Sequence, residues 1–177
     1  LLSPLSLAWA ASAVYKGQVF TLLAEAEAKV HGTTVEAVHF HEVGAVDAIV
    51  DVVGTLVCLE LLDITTVSCA AIPLGTGTAH CAHGRIPVPV PATLELLRGL
   101  PTIPAEGVHP TGELVTPTGA ALVRVICDNF GAPPPMKLDR VAHGLGTRER
   151  ADMPNVLRIF LGALVDTEAQ AVDVLTG

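Results

Sequence analysis

The chain has 177 residues, half of them apolar, with a mean hydropathy of +0.55 and a formal net charge of −8. That acidity argues against a nucleic-acid partner, because nucleic-acid footprints are basic, while it suits either a cation ligand or plain solubility. No apolar run reaches the roughly 18 residues needed to span a bilayer, since Asp47, Asp51, Glu60 and Asp63 interrupt the longest candidate.

The length allows a single domain, expected over residues 1–177. With only 3% aromatic residues, Val, Leu, Ile and Ala must fill its core. The opening Leu1-Leu2-Ser3-Pro4 has no basic stretch and no initiator Met. We therefore expect no signal peptide and read the chain as an internal fragment of a longer protein. The four cysteines, Cys58, Cys69, Cys81 and Cys127, show no CxxC spacing. Cys58 and Cys127 fall in apolar helical patterns, where a reduced thiol behaves as a small hydrophobe, so a cytosolic protein is expected.

In chain order, residues 4–31 read as one helix, with Ser3 as cap, Pro4 at the first position and Gly32 as stop. Leu7, Ala11, Val14, Tyr15, Val19, Leu22, Leu23, Ala26 and Val30 form its apolar stripe, and Glu25 and Lys29 an outer i,i+4 pair. Residues 45–62 read as a second helix, apolar almost all round. The exceptions, Asp47, Asp51 and Thr55, recur every four residues and so share one narrow face that meets either solvent or a site.

From Ile64 the pattern changes. Residues 65–72 have the β-branched content of a strand that Pro73 and the Gly75-Thr76-Gly77 turn should stop. Pro87, Pro89 and Pro91 alternate with valines in an extended segment unsuited to a central strand. A short helix is expected over 92–98, Pro- and Gly-rich loop over 99–112, a third major helix over 117–129 capped by Thr116, and strands over 136–144 and 156–164. The mixture lacks a regular βαβ period. The expected class is α+β, with three main helices packed on a small, mostly antiparallel or mixed sheet.

Three segments concentrate chemistry. In the run from His39 to Asp51, two imidazoles and three carboxylates fall within thirteen residues. On extended backbone His39 and His41 point the same way and could share one ion, with Glu42, Asp47 and Asp51 close in sequence. Imidazole suits Ni, Zn, Cu and Fe, and carboxylates alone suit Mg or Mn. The plainer alternative is an exposed loop followed by a capped helix with Asp47 near its positive end. The second segment, His80-Cys81-Ala82-His83-Gly84, offers two imidazoles and a thiol in a spacing that matches no standard zinc site. The third, from Gly112 to Ala120, places Thr116, Thr118 and Gly119 at a helix start, either an anion site or an ordinary cap. His109 and His143 stand open as ligand or surface residues.

The strings HFHEVGAVDAIVDVVG, CAHGRIPVPVPATLELL, GELVTPTGAAL and PNVLRIFLG, in this order, resemble the nickel-insertion proteins of nickel-pincer-nucleotide cofactor synthesis (LarC type). The lead helix ending LLAEAEAKVHG fits as well, so the resemblance covers nearly the whole chain. It implies a cytoplasmic enzyme of the lyase class that serves lactate racemase and its relatives. Such an enzyme places nickel into pyridinium-3,5-bisthiocarboxylic acid mononucleotide through one carbon–nickel and two sulfur–nickel bonds, with CTP hydrolysis and Mn or Mg. It also implies a longer protein, of which this chain would be the middle, without the first segment and most of the C-terminal domain used for CTP; alone it is not expected to turn over.

Onto the matching strings we carry His39, His41, Glu42, Asp47, Asp51, His80 and His83 as nickel contacts, and Thr116, Thr118 and Gly119 as contacts to the cofactor precursor. Ligand chemistry suggests Glu42 or His41 as the base that removes the ring proton. The string Val141–Gly146 departs from the glycine-tyrosine-glycine type expected of the family. The expected partners are nickel and a small nucleotide-like molecule, with no nucleic acid and no membrane. A non-catalytic scaffold that self-associates through the apolar helices and the Asp47/Asp51 face is the alternative.

Overall fold

Helix α1 (Pro4–His31) ends where a residue without a Cβ is needed. Gly32 adopts φ +62°, letting the Thr33 N–H donate to the Ala28 carbonyl at 2.9 Å and the Gly32 N–H to the Lys29 carbonyl at 3.3 Å. These two bonds satisfy carbonyls that a helix end otherwise leaves open. Helix α2 (Val46–Leu61) stops in the same way around Asp63, at φ +52°, with Ile64 N–H bonded to the Leu59 carbonyl. Asp is among the few non-glycine residues that tolerate this conformation.

A computed structural model of the chain describes residues 4–38, 46–81, 84–105, 112–149 and 154–165, with side chains from residue 14 onward except that of Cys81. The chain divides into two compact units, residues 1–132 and 133–177. The first unit adds short strands β1 (Ser68–Cys69), β2 (Ile72–Leu74), β3 (Thr78–Cys81) and β4 (Gly84–Pro87), then helix α3 (Pro91–Leu97). Strand β5 (Thr102–Pro104), helix α4 (Pro117–Ile126) and strand β6 (Asn129–Phe130) complete it. The second unit is the long antiparallel ribbon of β7 (Met136–Leu145) and β8 (Val156–Leu164). The class is α+β. Among the described residues no helix is long and apolar enough to cross a membrane.

The core of the first unit is mainly helix against helix. Val19, Leu23 and Ala26 of α1 meet Val52 and Leu56 of α2, Ala92, Leu96 and Leu97 of α3, and Ala120 and Ala121 of α4, with Ile72 the strand contribution. The alanines matter because they let helix backbones approach closely. The α1 stripe is only partly buried: Val14 is 59% exposed, and Tyr15 and Val30 also face outward. Lys29, expected to pair with Glu25, instead reaches Glu95 on α3, and with Arg98 holds that carboxyl below the usual carboxylate range. Arg124 of α4 donates to the Leu96 and Arg98 carbonyls at 3.0 and 2.9 Å, so one helix caps the end of another.

The sheet differs from the expected single one. Among the described residues it consists of four two-stranded ladders, β1 with β6 and β2 with β5 parallel, β3 with β4 and β7 with β8 antiparallel. The strand expected over 65–72 is cut into β1 and β2, and Pro73 lies inside β2 rather than ending it. Pro73 and Pro104 lack N–H donors, which limits how far the β2–β5 ladder can extend. That pairing also converts part of the expected loop 99–112 into strand β5. His143, within the strand expected over 136–144, stands on β7 opposite Arg158.

Candidate functional site

The start of α2 supplies one wall of an open cleft of about 200 Å³ in the first unit. Asp47 and Asp51, one turn apart, line it together with Ala48 between them. Asp47 sits in the first helical turn, where a negative charge is favoured, and its Oδ1 accepts the Ala48 N–H at 2.9 Å. The acidic face foreseen from the four-residue spacing therefore borders a cavity as well as solvent.

His80 and Ala79 of β3 form a second wall. The hairpin register sets Thr78 opposite Pro87 and His80 opposite Arg85, and the Val88 N–H closes back on the Gly77 carbonyl at 3.0 Å. The remaining lining comes from Val90, Glu113 and the first residues of α4, Thr116, Pro117 and Thr118.

The segment carrying Glu113 is fixed by backbone rather than by side chains. Thr76 and Gly112 form an antiparallel bridge, with the Gly112 N–H bonded to the Thr76 carbonyl at 2.9 Å. Gly75 is buried so close by that a Cβ there would overlap the Gly112 carbonyl. Further along, the fully buried Thr93 of α3 donates to the Val115 carbonyl at 3.4 Å.

Helix α4 starts as the sequence suggests. The Thr116 Oγ1 accepts the Gly119 N–H at 3.2 Å, and Pro117 occupies the first position. Replacing Thr116 by Ala should cost about 1 kcal/mol and lower the thermal midpoint by a few degrees, while Thr116→Ser should not; thermal melts of the three proteins check this. The cap also bears on anion binding. Pro117 has no N–H and that of Gly119 is taken, so Thr118 carries the one first-turn N–H left unengaged among the described residues.

Of the residues expected at a site, Asp47, Asp51, His80, Thr116 and Thr118 thus share one cleft, with Gly119 shaping the turn beneath. His39, His41, Glu42, His83 and His109 lie outside the described residues. His143 belongs to the second unit. Among the described residues, no three His, Cys, Asp or Glu side chains converge closely enough to enclose a metal ion. Glu113 was not singled out by sequence reasoning; its one signal is its place in the GELVTPTGAAL string.

Cys58, Cys69 and Cys127 are free thiols. Cys69 and Cys127 are hydrogen-bonded to each other between α4 and β1, and burial pushes both up, Cys127 to about 12 with the neighbouring Cys69 adding to the shift.

The family model described as nickel insertion protein matches residues 8–176. A protein of Geobacillus kaustophilus named pyridinium-3,5-bisthiocarboxylic acid mononucleotide nickel insertion protein is 51% identical over 146 residues, covering 82% of this chain and 35% of its own. Two relatives provisionally named nickel insertion proteins are as similar. That of Desulfotalea psychrophila is 53% identical over 159 residues, covering 89% of this chain and 40% of its own. That of Geobacter metallireducens is 54% identical over 145 residues, covering 82% and 36%. The chain spans about two fifths of the length of these relatives. No solved structure gives a significant match. With the family model running through almost every residue and half the positions shared with these relatives, the chain belongs to the nickel insertion protein family.

Proposed function

We propose that this chain handles the nickel and part of the organic substrate in an insertase acting on pyridinium-3,5-bisthiocarboxylic acid mononucleotide, the compound in the name of the Geobacillus relative. The observation that carries this reading is the cleft in which Asp47, Asp51, His80, Glu113, Thr116 and Thr118 meet. Oxygen and imidazole donors of this kind hold Ni(II) without burying it under thiolates. In sequence, His39, His41 and Glu42 come shortly before α2, and His83 follows His80 by three residues. We take these as the further ligands.

Nickel is the cargo here, so it must be released. Donors that leave coordination positions open allow the two thiocarboxylates of the substrate to displace them one at a time. Formation of the carbon–nickel bond expels the ring proton, and Glu42 or His41 is the proposed base, since such a group works best near neutral pH. Thr118 and the Thr116–Gly119 turn are the proposed contacts to the polar parts of the substrate. In the longer family protein the reaction is proposed to run with CTP hydrolysis and Mn or Mg, in the cytoplasm, as a lyase supplying lactate racemase and related enzymes. Nickel titration of the full-length protein with Asp47 and Asp51 neutralised tests the reading.

The second reading, a self-associating scaffold, is favoured by the outer face of α2, where Val46, Ile49, Val50 and Leu61 are exposed. Light scattering with and without nickel separates the two. A scaffold assembles regardless of metal, and Val50→Glu should then dissociate it while leaving nickel affinity unchanged.

A further inference from the structure

The substrate of the proposed reaction is a mononucleotide, and its phosphate carries one to two negative charges near neutral pH. The walls of the cleft are a poor place for it. Asp47, Asp51 and Glu113 line the walls, and each repels a phosphate that approaches before nickel has been delivered. The α4 start compensates little, with one unengaged N–H among the described residues at Thr118.

Arg85 answers this problem. In the β3–β4 hairpin it is the direct register partner of His80, and directly opposed residues of an antiparallel pair project from the same face with Cβ atoms about 5 Å apart. His80 lines the cleft, and Arg85 shares the hairpin face on which His80 stands. The Arg85 Nε–H donates to the Thr78 Oγ1 at 2.9 Å, which fixes the side chain along the hairpin and leaves the two terminal nitrogens without a partner among the described residues. Three other cations of the first unit are already committed. Lys29 and Arg98 are paired with Glu95, and Arg124 is bonded to carbonyls at the end of α3.

We propose that Arg85, oriented by Thr78 beside His80, binds the phosphate of the mononucleotide and so decides that the substrate is a nucleotide rather than a nucleoside. The fork of two terminal nitrogens matches a pair of phosphate oxygens, and a fixed guanidinium on this hairpin face leaves the ring and its thiocarboxylates to reach toward the carboxylates and His80. The assignment rests on the reading of the cleft given above.

The test uses the full-length protein and three probes: Ni(II) alone, the pyridinium bisthiocarboxylic acid mononucleotide, and the same molecule with its phosphate removed. Arg85→Gln should weaken mononucleotide binding about 10- to 100-fold and leave the affinities for the nucleoside and for Ni(II) as they were, the latter showing that the fold is intact. Arg85→Lys, which keeps the charge and loses the fork, should fall between. Equal losses for mononucleotide and nucleoside, or no loss for either, would overturn the assignment. If Arg85→Gln is silent while neutralising Asp47 and Asp51 abolishes nickel binding, the phosphate site alone is refuted. If the Asp47 and Asp51 variants leave nickel binding unchanged, the reading of the cleft fails and Arg85 falls with it.

Discussion

Neutralising both α2 carboxylates, as Asp47→Asn with Asp51→Asn, should lower the affinity of the full-length protein for Ni(II) by roughly 100- to 1,000-fold. The estimate comes from charge alone. At 4 Å in a water-like medium two unit charges attract by about 1 kcal/mol, so a divalent ion gains about 2 kcal/mol from each carboxylate and about 4 kcal/mol from both; screening by salt brings the expectation down from that ceiling. Asn keeps the size of Asp and an oxygen able to accept the Ala48 N–H that Asp47 now receives, so the start of α2 should survive. Calorimetric titration measures the change. An affinity equal to that of the unaltered protein would remove nickel from this cleft, whatever the family does elsewhere. Adding His80→Ala to the pair should weaken binding further, because the imidazole is the one nitrogen ligand that the described cleft contributes.

The second large effect concerns the helical core. Leu23 is fully buried on α1, within the cluster that joins α1 to α2, α3 and α4. Truncation to Ala removes three side-chain carbons, one methine and two methyls, and leaves a cavity that rigid neighbours cannot close; buried Leu→Ala changes of this kind cost about 3–5 kcal/mol. For a unit of this size each kcal/mol shifts the melting temperature by about 3–5 °C, so a fall of more than 10 °C is expected by calorimetry or circular dichroism. Val30→Ala on the same helix is the control. Val30 is 40% exposed, and its truncation should cost less than about 1 kcal/mol. Equal losses at the two positions would mean that α1 does not present this face to the core.

What the sequence made readable was local. Thr116 followed by Pro117, and Gly32 after a long apolar stripe, each state a helix boundary in neighbouring residues, and both boundaries stand in the structure. The repeat of Asp47 and Asp51 disclosed a shared face because helical periodicity alone decides it. The long strand β8 was legible for a similar reason, being rich in Val, Leu, Ile and Phe, while β7 mixes Leu and Val with Lys137, Asp139, Arg140 and His143. The ladders of β1 with β6 and β2 with β5 were not, since two- and three-residue strands carry no periodicity and their partners lie 61 and 30 residues away. Val14 and Tyr15 look like core residues by spacing, and only the actual positions of the neighbouring helices decide that they face out.

The cleft repeats this division. Either carboxylate of α2 could be foreseen as part of a polar face, but its meeting with His80 depends on where a hairpin some thirty residues later comes to rest. Glu113 is further from any pattern, because its segment is positioned by one glycine backbone lying against another at Gly75 and Gly112. No property of the glutamate itself announces that arrangement.

The thiol pair between α4 and β1 is poorly suited to holding a soft metal ion. Metal ions bind the thiolate rather than the neutral sulfhydryl, and with Cys127 pushed to about 12 that thiol stays protonated at neutral pH. These two sulfurs are thereby kept chemically quiet. On the proposed reading, the substrate's thiocarboxylates meet no competitor at this pair, and nickel can pass from oxygen and nitrogen donors to stronger sulfur ones.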